Sequence, residues 1–340
     1  MTHETDVSVA TNLDAFCKTS IMSRPLRVGV VGVGHLGARH AQIYAQLPGV
    51  RLVAVCDSDA TRSRMVGKAL HCAALTDYRG LVGRVDALSL AVPTTLHGLL
   101  GLALLSEGIH LLIEKPISTR LAEANALIRM ARKRGCILQI GHVERFNAAI
   151  RMALRYLTHP RFIEVHRLSP YPFRGTDVSV VLDVMIHDLD LLLALMRCPI
   201  VRVESLGVCV LSNSEDMANA RLSFSSGCIA NLTASRVSDE TIRRIRVIQE
   251  DSYLSIDYKE QTVELAKRRG RTIQRVALPV NRRPALQEEL MSFVRAVRLK
   301  RPPVVCGEDG KAALALALRI ERAMRHRRTA MSREPSAVSR

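Results

Sequence analysis

"LRVGVVGVGHLGARHAQIYAQLPGVRLVAVCD", residues 26–57, decides the fold. Residues 26–33 form an apolar run interrupted only by glycine, the pattern of a strand buried on both faces. Leu36, His40, Ile43, Tyr44 and Leu47 then recur at helical spacing until Pro48-Gly49 stops the helix. "RLVAVCD" is a second strand, ending on Asp57. The segment is therefore a βαβ unit whose first turn carries Gly32, Gly34 and Gly37 in the spacing G-x-G-x-x-G.

That turn has a specific use. Gly32 permits a sharp bend, Gly34 lets backbone approach a pyrophosphate, and Gly37 lets the helix pack on the strand. The free N–H groups at the helix start attract phosphate, with His35 and Leu36 offering backbone contacts. Asp57, twenty residues past Gly37, stands where a carboxylate accepts from ribose hydroxyls and repels a 2′-phosphate. NAD is expected over NADP, although Arg62, one helical turn on, softens the preference. Read alone, the glycines need be only a tight turn. The strand, the helix and Asp57 together favour a dinucleotide site.

The alternation continues outward. "DATRSRMVGKAL", "TLHGLLGLALLSEG" and "STRLAEANALIRMARKRG" suit helices, and "DALSLAVP", "IHLLIEKP" and "CILQIGH" suit strands. Strand and helix alternate for about 120 residues, which argues a doubly wound parallel sheet, a Rossmann fold. After about residue 143 strand-like runs follow one another across short polar turns, with "SSGC" (225–228) reading as a hairpin turn. The fold class is thus α/β, a Rossmann domain over 25–143 followed by an α+β domain over 144–328 with an open-faced antiparallel sheet. Residues 1–24 read as a flexible N-terminal extension and 329–340 as a basic C-terminal tail.

Composition narrows the class. The 340 residues suit two domains, and 48% apolar content marks a globular chain. No apolar run reaches the roughly 18 residues of a membrane span, and no basic-then-apolar leader opens the chain. The eight cysteines show no C-x-x-C spacing, so a zinc ribbon or thioredoxin-like site is not expected, and a reduced cytoplasm is. The net charge of +17 is dispersed, apart from patches at 266–275 and 319–333. With 4% aromatics and no Trp, stacking on single strands is not expected; the charge reads as a solvated face or as attraction of an anionic substrate.

One apolar stretch is odd. "SVVLDVMIHDLDLLLAL", residues 179–195, reads as a buried helix, yet carries Asp183, His187 and Asp190 on one face. Buried titratable groups cost several kcal/mol unless paired. Such an Asp/His pair is commonly a satisfied core network, and its spacing also suits a metal; no third ligand is convincingly placed, so no metal is expected. Asp190 reads as a structural ion-pair partner.

"GVGHLGARHAQIYAQLPGVRLVAVCD", "VPTTLHGLLGLALLSEGIHLLIEKP", "GHVERFN" and "LDVMIHDLDLL" together resemble the glucose–fructose oxidoreductase/inositol dehydrogenase (Gfo/Idh/MocA) family, from about residue 26 to about 327. The resemblance implies an NAD-dependent oxidoreductase acting on a CH–OH group, with the active site between the domains. It also implies a homo-oligomer, dimer or tetramer, through the free sheet face. Lys115 matches the lysine of the family's E-K-P, and Asp183 and His187 match its D-x-x-x-H. In those roles His187 takes the alcohol proton, Asp183 orients the ring, and Lys115 stabilises the developing alkoxide. Glu114 is a candidate for the nicotinamide ribose; Pro93, Thr94 and His97 are expected to line the nicotinamide side, with His142 a weaker candidate.

Within the family, "GHVERFNAAI" and "DVMIHDLDLLLAL" are most similar to sugar-nucleotide 3-dehydrogenases of bacterial envelope (lipid A) synthesis. That resemblance implies oxidation of the C3 hydroxyl of a UDP-N-acetylglucosamine and a functional partnership with a pyridoxal-phosphate aminotransferase. Arg145, Asn147, Tyr171 and Arg174 flank the expected cleft as substrate contacts, although both arginines also suit ion pairs. Two alternatives stay open: an inositol or free-sugar dehydrogenase, and a catalytically silent NAD-binding regulator. A third, duplex DNA held by the 266–275 patch, would show steep salt dependence; no specific nucleic acid is expected.

Overall fold

The structure is a computed structural model that describes residues 24–171 and 178–331, with side chains to Arg325. The chain forms two compact units. Of the described residues, one unit gathers those up to Ile113 with Met130–Leu138 and Leu290–Pro303; the other gathers those of Glu114–Arg129, of Gln139–Glu289 and from Val304 onward.

The first of two sheets has six strands, most of them in the first unit. Its strands are β1 (Leu26–Val31), β2 (Val50–Cys56), β3 (Ala73–Leu75), β4 (Ala87–Leu90), β5 (His110–Glu114) and β6 (Leu138–Gly141). The order is β3-β2-β1-β4-β5-β6, and the pairs β1/β2, β1/β4, β2/β3 and β4/β5 are parallel. Helices α1 (His35–Gln46), α2 (Ala60–Ala69), α3 (His97–Ser106) and α4 (Leu121–Arg134) supply the crossovers. The order reverses at β1, so the crevice at the carboxyl ends of β1 and β4 is where such sheets bind ligands. Val28, Val30, Val55, Ala87 and Leu112 are fully buried, as strands covered on both faces require. Inside this core Tyr44 hydroxyl and His40 Nδ1 meet Ser89 Oγ at 2.8 and 3.1 Å, tying α1 to β4. The three-residue β3 lies outside the elements expected from sequence; it is too short to show a period.

The second unit carries an eight-stranded sheet. Its strands are β7 (Phe162–Leu168), β8 (Ile200–Val208), β9 (Met217–Phe224), β10 (Ile229–Ser235), β11 (Ile242–Ile248), β12 (Ser252–Asp257), β13 (Thr262–Arg269) and β14 (Thr272–Leu278). The order is β14-β13-β12-β11-β7-β10-β9-β8. The sheet is mixed rather than purely antiparallel, because β7 and β10 pair in parallel at its centre. Successive hairpins on either side predict antiparallel neighbours; only the long excursion from β7 to β10 breaks the rule, and no local motif announces it. The turn at 225–228 does join β9 to β10 as a hairpin, with Gly227 at positive φ.

Alternation fixes which face is covered. Ile163, Val165, Ala220, Leu222, Ala230, Leu232, Ile245 and Val247 point into a core shared with α5 (Ala148–Ala153), α6 (Ile186–Met196) and α8 (Gly307–Met331). Each buried Val, Leu or Ile among them contributes on the order of 1.5–3 kcal/mol. The opposite face carries the ion pairs Arg246–Glu164, Arg244–Asp257 and Arg275–Glu264 alongside exposed apolar side chains such as Leu206, Val208 and Met217. The basic patch at 266–275 is the exposed β13–β14 hairpin at the sheet edge. Helix α7 (Ala285–Leu299) sends Leu290, Phe293, Val294 and Val297 back into the core of the first unit. No helix of the described residues is long and apolar enough to cross a membrane, and no disulfide forms among their cysteines.

Candidate active site

The glycine-rich turn leads out of β1 into α1. Gly32 takes φ +81°, and a Cβ there would lie 2.5 Å from the Ala91 carbonyl oxygen; one on Gly37 would lie 1.8 Å from the Gly32 oxygen. Both positions exclude any side chain. Gly34 differs, because nothing stands within 4 Å of where its Cβ would be. It caps α1 without a side-chain hydrogen bond, leaving N–H groups of the first turn unspent. The turn is thus packed on the protein side and open where a phosphate group would approach, which fits a dinucleotide.

Asp57 is buried at the end of β2. It accepts from Val33 N at 2.9 Å and Asp59 N at 3.0 Å, so the carboxylate is fixed against the turn. Arg62 Nη1 lies 3.2 Å from it, confirming the proximity read from the helical turn. His35 and Leu36 are exposed at the start of α1. Across the switch point, His97 is buried and its Nε2 meets the Val92 carbonyl oxygen at 3.0 Å, bracing the turn that presents Pro93 and Thr94.

The second unit brings Lys115, Asp183 and His187 together. Helix α6 does not start as an α-helix: Val181–Met185 is a π-helical turn, and α6 follows from Ile186. Such wide turns break the regular hydrogen-bond ladder and cluster at functional sites. Here the turn presents the Asp183 carbonyl oxygen 2.6 Å from Lys115 Nζ, with Asp183 Oδ1 at 3.1 Å. An ammonium has three N–H donors, so two are spent on Asp183 and one remains for a third acceptor. The Lys115–Pro116 bond is cis.

The carboxylate expected to orient the imidazole therefore holds the ammonium instead. His187 Nδ1 is sealed from solvent with no hydrogen-bond partner among the described residues, whereas Nε2 is not sealed. Burial, then the Lys115 and Arg167 cations, hold the His187 pKa well below the ordinary 6.5. The ring is neutral at neutral pH, the state a proton acceptor must occupy. His142 stands edge-on to it, ring centroids 6.4 Å apart, with both nitrogens buried and unpartnered. Burial, with Lys115 and Arg145 adding to it, lowers the His142 pKa to about 3.

Around this centre lies a charge network that the motifs did not point to. Arg167 Nε and Nη2 donate to Asp188 at 2.9 and 3.1 Å, and Nη2 also reaches Glu144 Oε1 at 3.1 Å. The Tyr258 hydroxyl donates to Asp188 Oδ1 at 2.8 Å, and Arg243 Nη1 approaches Glu144 Oε1 at 3.4 Å. Strand alternation carried the signal, since Arg167 follows Ile163 and Val165 on the inward side of β7. Glu289, also fully buried, has its pKa raised well above the usual range by burial and by Glu114, Glu144 and Asp190.

The other expected substrate contacts divide. Arg145 pairs with Asp190 at 3.0 Å and Asp309 at 3.3 Å, so Asp190 is an ion-pair partner as its sequence context suggests. Burial, only partly offset by Arg145, lifts the Asp190 pKa to about 7. Asn147 is not available as a contact. It is buried, caps α5 by accepting from Ala149 N, and donates to the Tyr258 carbonyl oxygen at 2.8 Å. Glu114 is buried against Gly141, where a Cβ would lie 2.8 Å from its carboxylate. Tyr171 is half-buried at the end of the described loop, and Arg174 lies outside the described residues.

This fold and these motifs define an oxidoreductase with an NAD-binding Rossmann domain. The sequence model of the oxidoreductase family with that fold matches residues 26–142, and the Gfo/Idh/MocA C-terminal domain model matches residues 139–255. The chain is 38% identical over 306 residues to UDP-N-acetylglucosamine 3-dehydrogenase of Acidithiobacillus ferrooxidans, covering 87% of this chain and 96% of that one. The solved structure of that enzyme superposes with a TM-score of 0.84, covering 88% and 98% of the two chains. Myo-inositol 2-dehydrogenase of Thermotoga maritima is 28% identical, over 89% of this chain and 98% of that protein. The chain belongs to the Gfo/Idh/MocA oxidoreductase family.

Proposed function

We propose that the protein oxidises the C3 hydroxyl of a UDP-N-acetylglucosamine-type nucleotide sugar to the 3-keto sugar. NAD, when bound, accepts the hydride. The Gly32–Gly37 turn and Asp57 would hold its pyrophosphate and adenosine ribose, and Pro93 and Thr94 would line the nicotinamide side. The third N–H of Lys115 takes the substrate hydroxyl oxygen and stabilises negative charge as the proton departs. His187 receives that proton at Nε2, the nitrogen left unsealed. Asp183 acts through Lys115, aiming the ammonium with its carbonyl and carboxylate oxygens.

The observation that carries the reading is the Lys115–Asp183 pair beside a neutral imidazole, on a chain 38% identical to a UDP-N-acetylglucosamine 3-dehydrogenase. A regulator that only binds NAD has no use for this arrangement. Oxidising an isolated hydroxyl is thermodynamically uphill, so a downstream aminotransferase that consumes the ketone is part of the proposal.

A substrate panel tests it: NADH absorbance with UDP-N-acetylglucosamine, N-acetylglucosamine or myo-inositol, each with and without a coupled aminotransferase. Turnover of the nucleotide sugar, enhanced by coupling, is expected. Turnover of inositol alone would replace the reading with a polyol dehydrogenase, and NAD binding with no turnover of any substrate would leave the regulator.

A further inference from the structure

Arg243 stands apart from the other charges of the second unit. On β11 it shares the inward parity of Ile245 and Val247, which are fully buried, and in register it opposes Arg167 of β7. Yet its side chain is 44% exposed, where Arg167 is 6% exposed. The covered face of the sheet therefore opens at this end, and a cation stands in the opening. Two guanidiniums directly opposed across strands repel unless a counter-charge lies between them. Glu144 is that charge, but Arg167 takes it at 3.1 Å and Arg243 only at 3.4 Å.

A guanidinium has five N–H donors. Arg167 commits three of its five, on Nε and Nη2, to Asp188 and Glu144. The side chain of Arg243 makes a single long contact, to a carboxylate already engaged, and no other partner is found among the described residues. The opening adjoins the reacting groups: Arg167 is clasped by Asp188, the residue after His187, and the charge of Arg243 is itself felt by the imidazole.

We propose that Arg243 is the specificity-determining cation of the site, binding a phosphate of the nucleoside diphosphate while the sugar ring lies against Lys115 and His187. The proposal rests on the nucleotide-sugar reading above and adds a residue that the family motifs do not contain. Planar, bidentate donation to phosphate is what a guanidinium with unspent donors provides and an ammonium does not.

The test uses UDP itself as probe, by calorimetry on the full-length protein, with Arg243→Gln and Arg243→Lys. NAD affinity serves as the control for folding. Arg243→Gln should weaken UDP about tenfold or more, leave NAD affinity unchanged, and raise KM for UDP-N-acetylglucosamine more than it lowers kcat. Arg243→Lys should recover only part of the loss. If wild type binds UDP and Arg243→Gln binds it equally well, Arg243 is not the anchor. If wild type binds NAD but no UDP, the nucleotide-sugar reading itself fails, and the anchor falls with it.

Discussion

Replacing Lys115 by Met keeps the aliphatic length and removes the ammonium. Two hydrogen bonds to Asp183 disappear, at 2.6 and 3.1 Å, together with the third N–H assigned to the substrate oxygen. Removing one preorganised donor to a developing oxyanion costs about 100- to 1000-fold in kcat, or about 2.7–4 kcal/mol. The Lys115 charge is also the second largest influence, after burial, that keeps His187 neutral. Without it the imidazole pKa rises, and the acid limb of the rate profile, where the base becomes protonated, moves to higher pH. The Asp183 carboxylate, 36% exposed, can rehydrate, so stability should change much less than rate. Stopped-flow NADH formation across pH 5.5–9.5 on both proteins reads the two effects together. A slower variant whose acid limb has not moved would refute the electrostatic coupling of Lys115 to His187. A variant as fast as wild type would refute the role of Lys115 altogether.

Other substitutions probe separate parts. Gly37→Ala must displace backbone, because its Cβ would lie 1.8 Å from the Gly32 oxygen, whereas Gly34→Ala meets nothing within 4 Å. The first should unfold or melt well below wild type, and the second should melt normally but bind NAD about tenfold or more weakly, by thermal shift and calorimetry respectively. Asp57→Ala removes the carboxylate but leaves Arg62, so NAD should weaken and NADP gain, as the ratio of kcat/KM values shows. His142 is neutral when folded down to about pH 3, but protonates when unfolded below about pH 6.5. It therefore subtracts stability as pH falls through that window, about 1.4 kcal/mol per pH unit. In His142→Gln the fall in melting temperature between pH 7 and pH 5 should be smaller; an equal fall would show that His142 is not buried neutral.

Residue types with one local meaning were legible in the sequence. The turn glycines, the terminal Asp57 and the apolar run before them specify a βαβ unit through short-range geometry, and those elements appear as expected. The site was less transparent, because side chains select partners across space. Asp183 and His187 sit one helical turn apart, which suggests a pair, but the π-helical turn hands Asp183 to Lys115, 68 positions away. Asn147 reads from sequence as a substrate contact beside Arg145, yet Ala149 N, the Tyr258 carbonyl and the Glu144 carboxylate engage its amide. Arg167 and Arg243 were readable in principle, as cations at the inward parity of two strands whose other inward residues are apolar. That reading needed the pairing of β7 with β11, two strands separated by more than seventy residues, and no local pattern predicts it. The parallel β7/β10 pair was hidden for the same reason.

The most direct test of the central claim is a single turnover by His187→Asn with NAD and UDP-N-acetylglucosamine, beside a calorimetric measurement of NAD affinity. NAD should bind as in wild type while NADH formation slows by about 100- to 10,000-fold, the usual contribution of a positioned base. NADH formation within a few-fold of wild type would contradict the claim that this imidazole takes the proton.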